Sequence, residues 1–302
     1  MEEFLKSVYI QSLEPIHGVP VDVLRLDAID ALCSGNKLFK LYEYVKTAKL
    51  LKKGLASTGG NCSNHLHALS AIGHRYRIPT LAYVQSYQRQ LTSTLKDLEQ
   101  WNTQLNWIQP NEAKALEFEV NIKEWIWVPW GGKGELGQKG MHWLKPFLNN
   151  YSHVFCAAGT GTTVMGLSSV LKPGQQLLSI SALPKKASAF KTCFETCPQL
   201  LEWTLGDALP EQVPFIWTHS FAGKYFSELE VERVRYTLLN SKLNQLEWDF
   251  IYTSRVLWAI KMLSERGYIK PKYRVLLIHT GGLQGNRCFQ DRYQKQLANL
   301  LI

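Results

Sequence analysis

Long apolar runs are missing from this 302-residue chain, and so are the marks of a secreted, membrane-spanning or metal-clipped protein. No stretch approaches the roughly 20 consecutive apolar residues that a bilayer span needs. The opening Met1-Glu2-Glu3-Phe4-Leu5-Lys6 lacks the basic start and apolar run of a secretory leader. A soluble protein with no membrane partner is expected. Six cysteines are too few for a disulfide framework at this length, so reduced thiols and a cytoplasmic setting are expected. Cys193 and Cys197 are spaced like metal ligands, but no second Cys or His pair stands nearby to complete a site. One helical turn with two free thiols is the better reading, and no metal is expected. His65 and His67, separated by one residue, suit neither a helical ligand pair nor a finger motif. No internal repeat is visible.

What is present is ordinary globular material. Hydrophobic residues make up 45% of the chain and charged residues 20%, which excludes disorder and provides core enough for two domains or one large α/β unit. The net charge of +9 raises the question of nucleic acid. The basic residues are dispersed, however, and the densest group, Lys46, Lys49, Lys52 and Lys53, follows helical spacing as one solvated face. Nucleic acid is not an expected partner. A small anionic substrate or a phosphorylated cofactor suits the charge better.

Short apolar runs at 55–58, 80–84, 125–129, 153–158, 177–182, 215–219 and 274–279 end in Gly, Ser, Thr or Pro. Helical patterns follow at 38–52, 63–75, 138–149, 162–171, 228–239 and 252–266. In the last, Val256, Leu257, Ile260 and Leu263 form a one-sided apolar face. Strands alternating with helices predict an α/β fold with mostly parallel sheets. The polar break at 149–152 is a candidate crossing between domains.

In such folds ligands gather at the carboxyl ends of strands. Three turns qualify, at 58–64, 157–163 and 279–285. The second reads Ala157-Ala158-Gly159-Thr160-Gly161-Thr162-Thr163. Its glycines let backbone N–H groups converge on an anion and its threonines add donors. No lysine closes the run, so it is not a Walker loop, and it lacks the third glycine of a dinucleotide fingerprint. It is a candidate for one phosphate group, or a tight turn with no ligand.

Ser34-Gly35-Asn36-Lys37 precedes the first long helical pattern. A lysine can join an aldehyde cofactor when desolvation lets its amine lose a proton. By composition Lys40 is as good a candidate as Lys37. In Thr58-Gly59-Gly60-Asn61-Cys62-Ser63-Asn64, Ser63 falls at a helix N-cap, a role worth roughly 1 kcal/mol. The sharper reading aims its hydroxyl at a substrate.

Taken in order, Gly35-Asn36-Lys37, Gly59-Gly60-x-x-Ser63-Asn64, Pro129-Trp130-Gly131-Gly132 with Glu135-Leu136-Gly137, Ala158-Gly159-Thr160-Gly161-Thr162, Tyr252-Thr253 and His279-Thr280-Gly281-Gly282-Leu283-Gln284-Gly285 resemble the D-cysteine desulfhydrase and 1-aminocyclopropane-1-carboxylate deaminase family. The likeness spans roughly residues 27–286. It implies a pyridoxal 5'-phosphate (PLP) enzyme of fold type II, similar to tryptophan synthase β, with two open twisted α/β domains and the cofactor in the cleft. The large domain would comprise 1–41 and 131–302, and the small one 42–130. A homodimer acting on a small amino acid is implied as well.

Residue by residue, the resemblance makes Lys37, not Lys40, the covalent holder of the cofactor. Ser63 would act on the substrate as acid, base or nucleophile, and Asn64 would lie beside the cofactor ring. The loop from Ala158 through Gly159, Thr160 and Gly161 to Thr162 would hold the phosphate, and Thr280 would lie near the pyridine. Tyr252 would line the substrate pocket with Asn61, Thr253 and a second tyrosine, Tyr225. The cyclopropane-opening branch carries Glu at the position of Thr253 and Leu at that of Thr280. The two threonines resemble the desulfhydrase branch, so α,β-elimination of D-cysteine to pyruvate, ammonia and sulfide is the expected reaction. The alternatives are ring opening of aminocyclopropane-carboxylate, another D-amino-acid deaminase or racemase, and PLP binding without catalysis. Several positions depart from the family pattern: Ser34, Phe39, Trp130, Ser254-Arg255 and the segment Asp27-Ala28-Ile29. Phe39 and Trp130 are expected to reshape the pocket.

Overall fold

The computed structural model describes residues 1–112, 123–185, 195–197, 199–210 and 213–290. Within them the chain builds two open sheets. The larger joins β1 (Ile10–Ser12), β2 (Val21–Arg25), β7 (His153–Ala158), β8 (Gln176–Ser181), β9 (Leu200–Glu202), β10 (Phe215–Thr218) and β11 (Val275–His279) in the order β1-β2-β11-β7-β8-β10-β9. Only its β1–β2 pair is antiparallel. The smaller sheet takes β3 (Gly54–Gly60), β4 (Thr80–Gln85), β5 (Gln104–Ile108) and β6 (Trp125–Val128) in the order β5-β4-β3-β6, all parallel. The α/β class with mostly parallel sheets, expected from the alternation of strands and helices, is what the chain adopts.

Burial explains the strand composition. In a parallel sheet covered on both faces, strands read as continuous apolar runs rather than alternating ones. Val275–His279 and Gln176–Ser181 are buried at every position. Helices cover these strands: α1 (Glu2–Leu5), α2 (Asn36–Leu51), α3 (Asn64–Tyr76), α4 (Ser93–Gln100), α5 (Glu135–Met141), α6 (Lys145–Leu148), α7 (Thr162–Ser168), α8 (Val231–Asn244) and α9 (Thr253–Glu265). The α9 face of Val256, Leu257, Ile260 and Leu263 is fully buried against Phe155, Leu178 and Val275. Truncating one such leucine to alanine costs about 2–5 kcal/mol.

Three differences from the sequence reading have local causes. The helix expected at 138–149 is broken into α5, a 3₁₀ turn at His142–Leu144 and α6. Pro146 stands in the first turn of α6, where its missing N–H is harmless, but it cannot continue a helix from behind. The strands β1, β2 and β5 escape the apolar-run criterion, because Gln11, Asp22, Gln104 and Asn106 interrupt them. Phe39, expected to shape the pocket, is instead completely buried among Leu38, Leu41 and the other side chains of the main core. Cys193 lies outside the described residues, and Cys197 is a partly buried free thiol. Among the described helices none is long and apolar enough to cross a membrane.

Candidate active site

The turns that leave β3, β7 and β11 converge on one cavity of about 580 Å³. Two features aim them. Gly35, at the N-cap of α2, has φ +82°, and a Cβ there would lie 2.2 Å from the Thr280 carbonyl oxygen. Only glycine lets the backbone lock in this way, with Asn36 N–H donating to Thr280 O at 3.1 Å and Gly35 N–H to Leu26 O at 2.7 Å. The start of α2 is thereby fixed to the end of β11. Gly282 (φ +96°) does the same for the third turn, leaving room for the Asn64 amide, whose Nδ2 would lie 2.7 Å from a Cβ at that position.

His279 closes β11 in a purely structural role. Its Nε2–H donates to Glu247 O at 2.9 Å, and its Nδ1 accepts from Gly281 N–H at 3.3 Å. Trp248 stacks on the ring at 5.1 Å. Asp27, in a segment that departs from the family pattern, stands 3.3 Å from Nδ1 and accepts from Arg25 Nη2 at 2.7 Å.

Lys37 projects from the first turn of α2 into the cavity, where Asn36 Oδ1 accepts from its Nζ at 3.0 Å. Burial lowers the amine's pKa from 10.5 to about 8, against the raising influence of Asp249 and Cys156. Such an amine is partly neutral near physiological pH, the state in which it is a nucleophile or a base. Asn36 also donates from Nδ2 to Thr163 Oγ1 at 2.7 Å, joining the lysine's turn to the Gly-Thr loop. Lys40, one helical turn on, is buried on the same cavity wall, with its Nζ 3.4 Å from Gly131 O.

The cavity gathers most of the residues singled out from sequence. Lys37, Asn61, Ser63, Asn64, Ala158, Gly159, Thr160, Gly161, Tyr252 and Thr280 all line it. Ser63 is also the N-cap of α3, accepting from Leu66 N–H at 3.2 Å, so the structural role read from sequence is filled. Tyr252 packs on Phe226 with the rings tilted, their centroids 6.2 Å apart, and faces Gly159. Burial, reinforced by Asp249, raises its phenol pKa, so the group stays protonated.

Three expected residues stand apart from the lining. Thr162 is buried one position behind it, its Oγ1 3.2 Å from that of Thr160, and Thr163 takes the wall. Tyr225 is 51% exposed and turned outward, and its neighbour Phe226 faces the cavity in its place. Thr253 is fully buried behind Asp249, donating from Oγ1 to Asp249 Oδ2 at 2.6 Å.

Asp249 was not legible as a site residue. It lines the cavity, and its carboxylate accepts from the N–H groups of Ile251, Tyr252 and Thr253 at 3.0, 2.7 and 2.7 Å. The signal in the sequence was local: an Asp placed just before a helical pattern is a capping residue. His65 was missed as well. Ser57 Oγ donates to Val128 O at 2.6 Å, so toward His65 Nε2, 2.8 Å away, it accepts. Nε2 therefore carries the ring proton, and Nδ1 is a bare acceptor, buried on the cavity wall with no hydrogen-bond partner among the described residues. Burial, then the charges of Lys37 and Lys40, push this imidazole's pKa down to about 3. His67 points elsewhere, to Asp97 Oδ2 at 3.1 Å.

The departures from the family pattern divide. Trp130 lines the cavity and is 54% exposed, an apolar ring at its edge. Ser254 and Arg255 sit behind the wall. Arg255 is completely buried and donates to Phe221 O at 2.8 Å and Glu228 O at 3.0 Å, bracing the loop that carries Phe226.

No family model matches the chain. Over 298 residues it is 26% identical to a Thermotoga maritima protein described as "Putative 1-aminocyclopropane-1-carboxylate deaminase", with 92% of this chain and 93% of that one covered. The crystal structure of an ACC deaminase homologue superposes with a TM-score of 0.80 at 18% identity, covering 96% of this chain and 93% of the other. A fungal L-serine ammonia-lyase from Rhizomucor miehei gives a TM-score of 0.68 at 12% identity, covering 96% and 98%. The family resemblance read from the motifs is borne out by these likenesses, and so is the fold type II architecture of two mostly parallel α/β units.

Proposed function

We propose that this chain is a PLP-dependent lyase that converts a small amino acid to a keto acid and ammonia, with D-cysteine as its substrate. The observation that carries the reading is Lys37, an amine with a pKa lowered to about 8, in the same cavity as a glycine-threonine loop and a second buried cation, Lys40. The residues present fit the cofactor. The loop at Ala158–Gly161 with Thr163, and the ammonium of Lys40, would take the phosphate. Lys37 would hold the aldehyde carbon, with Asn64 and Thr280 beside the ring and Asp249 as the nearby anion. When bound, PLP supplies an electron sink for the substrate's α-carbon.

The protein's own groups handle the protons. Lys37 Nζ would accept the α-proton as general base, a role its lowered pKa suits. Ser63 Oγ, on the small-sheet side, assists at the substrate carboxylate or the leaving group. Tyr252, protonated and packed on Phe226, is a neutral donor on the other side. The Nδ1 of His65 is a bare acceptor on the cavity wall, placed to take a hydrogen bond from a donor on the bound substrate. The two sheets support a large unit of 1–41 with 131–302 and a small unit of 42–130, the latter bringing Ser63 to the site. A cytoplasmic homodimer completes the reading.

A second substrate, aminocyclopropane-carboxylate, is favoured by the name of the Thermotoga relative and by the Asp249 carboxylate on the cavity wall in front of Thr253. Keto-acid release measured in parallel on D-cysteine, L-cysteine, D-serine and aminocyclopropane-carboxylate separates the two. Keto acid with matching sulfide from D-cysteine supports the elimination. Faster release from the cyclopropane overturns it in favour of ring opening. Retention of the covalent cofactor absorbance by Lys37→Ala would overturn the assignment of the lysine.

A further inference from the structure

His65 offers the cavity an acceptor that no described residue satisfies. It sits in the first turn of α3, just after Ser63 and Asn64, and is 3% exposed while lining the cavity. Two hydrogen bonds set its tautomer. Ser57 Oγ has one proton and donates it to Val128 O at 2.6 Å, so toward His65 Nε2, at 2.8 Å, it can only accept. Ser57 and Val128 are register partners on the adjoining strands β3 and β6, which anchors this relay in the small sheet. The ring proton is therefore held on Nε2, and Nδ1 is left with no hydrogen-bond partner among the described residues. Burial, then the charges of Lys37 and Lys40, keeps the ring neutral, so Nδ1 remains an acceptor.

Other polar atoms of the same wall are engaged. Asn64 Oδ1 accepts from Gln284 Nε2 at 3.2 Å, and Asn36 joins Lys37 to Thr163. The Asp249 carboxylate takes three N–H groups and a hydroxyl. A buried acceptor stripped of water and given no donor is destabilising, and a ligand that brings the donor removes the deficit. That requirement narrows the ligand. In an amino acid the carboxylate only accepts, and the amine is the group that joins the cofactor. What remains to donate is the side chain. D-Cysteine and D-serine carry an S–H or O–H on the β-carbon, whereas a cyclopropane ring, an alkyl chain, a thioether and a halide carry no such donor.

We propose that His65 is a specificity-determining residue: its Nδ1 accepts a hydrogen bond from the β-thiol or β-hydroxyl of the substrate, and so selects donor-bearing amino acids over isosteres without a donor. The inference rests on the proposed lyase function and deepens it, since the same contact disfavours aminocyclopropane-carboxylate. No proton is transferred in the contact: the hydrogen stays on sulfur and leaves with it as hydrosulfide. Ser57 acts through His65, as a positioning residue that keeps the ring proton on Nε2.

The test is binding, read before turnover. D-Serine and D-2-aminobutyrate differ by a hydroxyl in place of a methyl. Each is mixed rapidly with the cofactor-loaded protein, and its dissociation constant is taken from the initial change in cofactor absorbance. Wild type should favour D-serine by about tenfold, the effect of one hydrogen bond to an acceptor otherwise left bare. His65→Phe should abolish that preference. His65→Asn, whose carboxamide oxygen can take the place of Nδ1, should restore part of it, and serves if phenylalanine disturbs the fold. Ser57→Ala should weaken the preference too, because the ring proton is then free to move to Nδ1, a move that nitrogen-15 NMR of the imidazole reads directly. A preference that survives His65→Phe overturns the proposal, as does its absence from the wild type. An equal loss of affinity for both amino acids in His65→Phe places the donor elsewhere and overturns it as well. Wild type that binds neither amino acid refutes the lyase reading itself, and this inference with it.

Discussion

Replacing Lys37 by methionine removes a half-buried, poorly solvated charge while keeping an unbranched stem. In the folded protein desolvation holds the Lys37 pKa at about 8 against the ordinary 10.5. One pKa unit corresponds to about 1.36 kcal/mol, so burying the charged form costs at most about 3 kcal/mol. The penalty is complete below about 8, where the amine is protonated in both the folded and the unfolded chain. Between about 8 and 10.5 the unfolded chain binds the proton that the folded protein has released, and stability rises with pH. Above 10.5 the penalty is gone. Urea unfolding of the cofactor-free wild type and Lys37→Met at a series of pH values isolates this contribution, because every other titrating group is common to both. Losing the hydrogen bond to Asn36 offsets the gain by about 1 kcal/mol. The variant should therefore be more stable by about 2 kcal/mol near neutrality. That advantage should vanish, and then reverse slightly, as pH climbs through the window. A difference that does not change with pH would refute the claim that the Lys37 amine is desolvated.

Gly35→Ala should lower stability by about 2 kcal/mol or more, since it combines a positive φ with a Cβ 2.2 Å from Thr280 O. An unchanged thermal midpoint would mean that the turn relaxes freely. Asp249→Ala removes a carboxylate that accepts from three backbone N–H groups and the Thr253 hydroxyl, and should cost about 2 kcal/mol in chemical denaturation. It should also move the Lys37 titration to still lower pH, because Asp249 raises that pKa; a move to higher pH would contradict the placement. For His65, nitrogen-15 NMR should show the neutral Nε2–H tautomer with no titration until pH falls toward about 3. A midpoint near the ordinary 6.5 would show that the ring is solvated.

What the sequence made legible is the part governed by local rules. Strands β7, β8 and β11 are continuous apolar runs that end in glycine-rich turns, and the α9 face recurs at helical spacing, so both periods were readable. The three turns at the strand ends were readable too, because glycine there answers a backbone need. Illegible were the facts that depend on how distant segments meet. Tyr225 and Phe226 are both aromatic and adjacent, and which one faces inward is decided by the loop braced by Arg255, not by either residue. Phe39 follows Lys37 by two positions on α2, and 200° of helical rotation carries it to the opposite, core-facing side. His65 looked like half of a failed metal pair until the bond from Ser57 to Val128 fixed its tautomer.

Thr253 meets the same limit more sharply. A neutral hydroxyl at that position, where the resemblance implies Glu for the cyclopropane-opening branch, reads as the loss of an anion near the cofactor, and that loss would favour elimination over ring opening. In the folded chain the hydroxyl is spent on Asp249, four residues earlier and on the cavity wall. The anion has been displaced by one turn rather than deleted. Its two oxygens are taken by three N–H groups and a hydroxyl, which fix it in place and spread its charge into the start of α9. Such an anion still acts on its surroundings: it raises the pKa of Lys37 and of Tyr252. A contrast at a single position therefore cannot choose the reaction here. The choice passes to the groups that touch the substrate's own atoms, chiefly Ser63 on one wall, Tyr252 with Phe226 on the other, and the exposed ring of Trp130 at the edge.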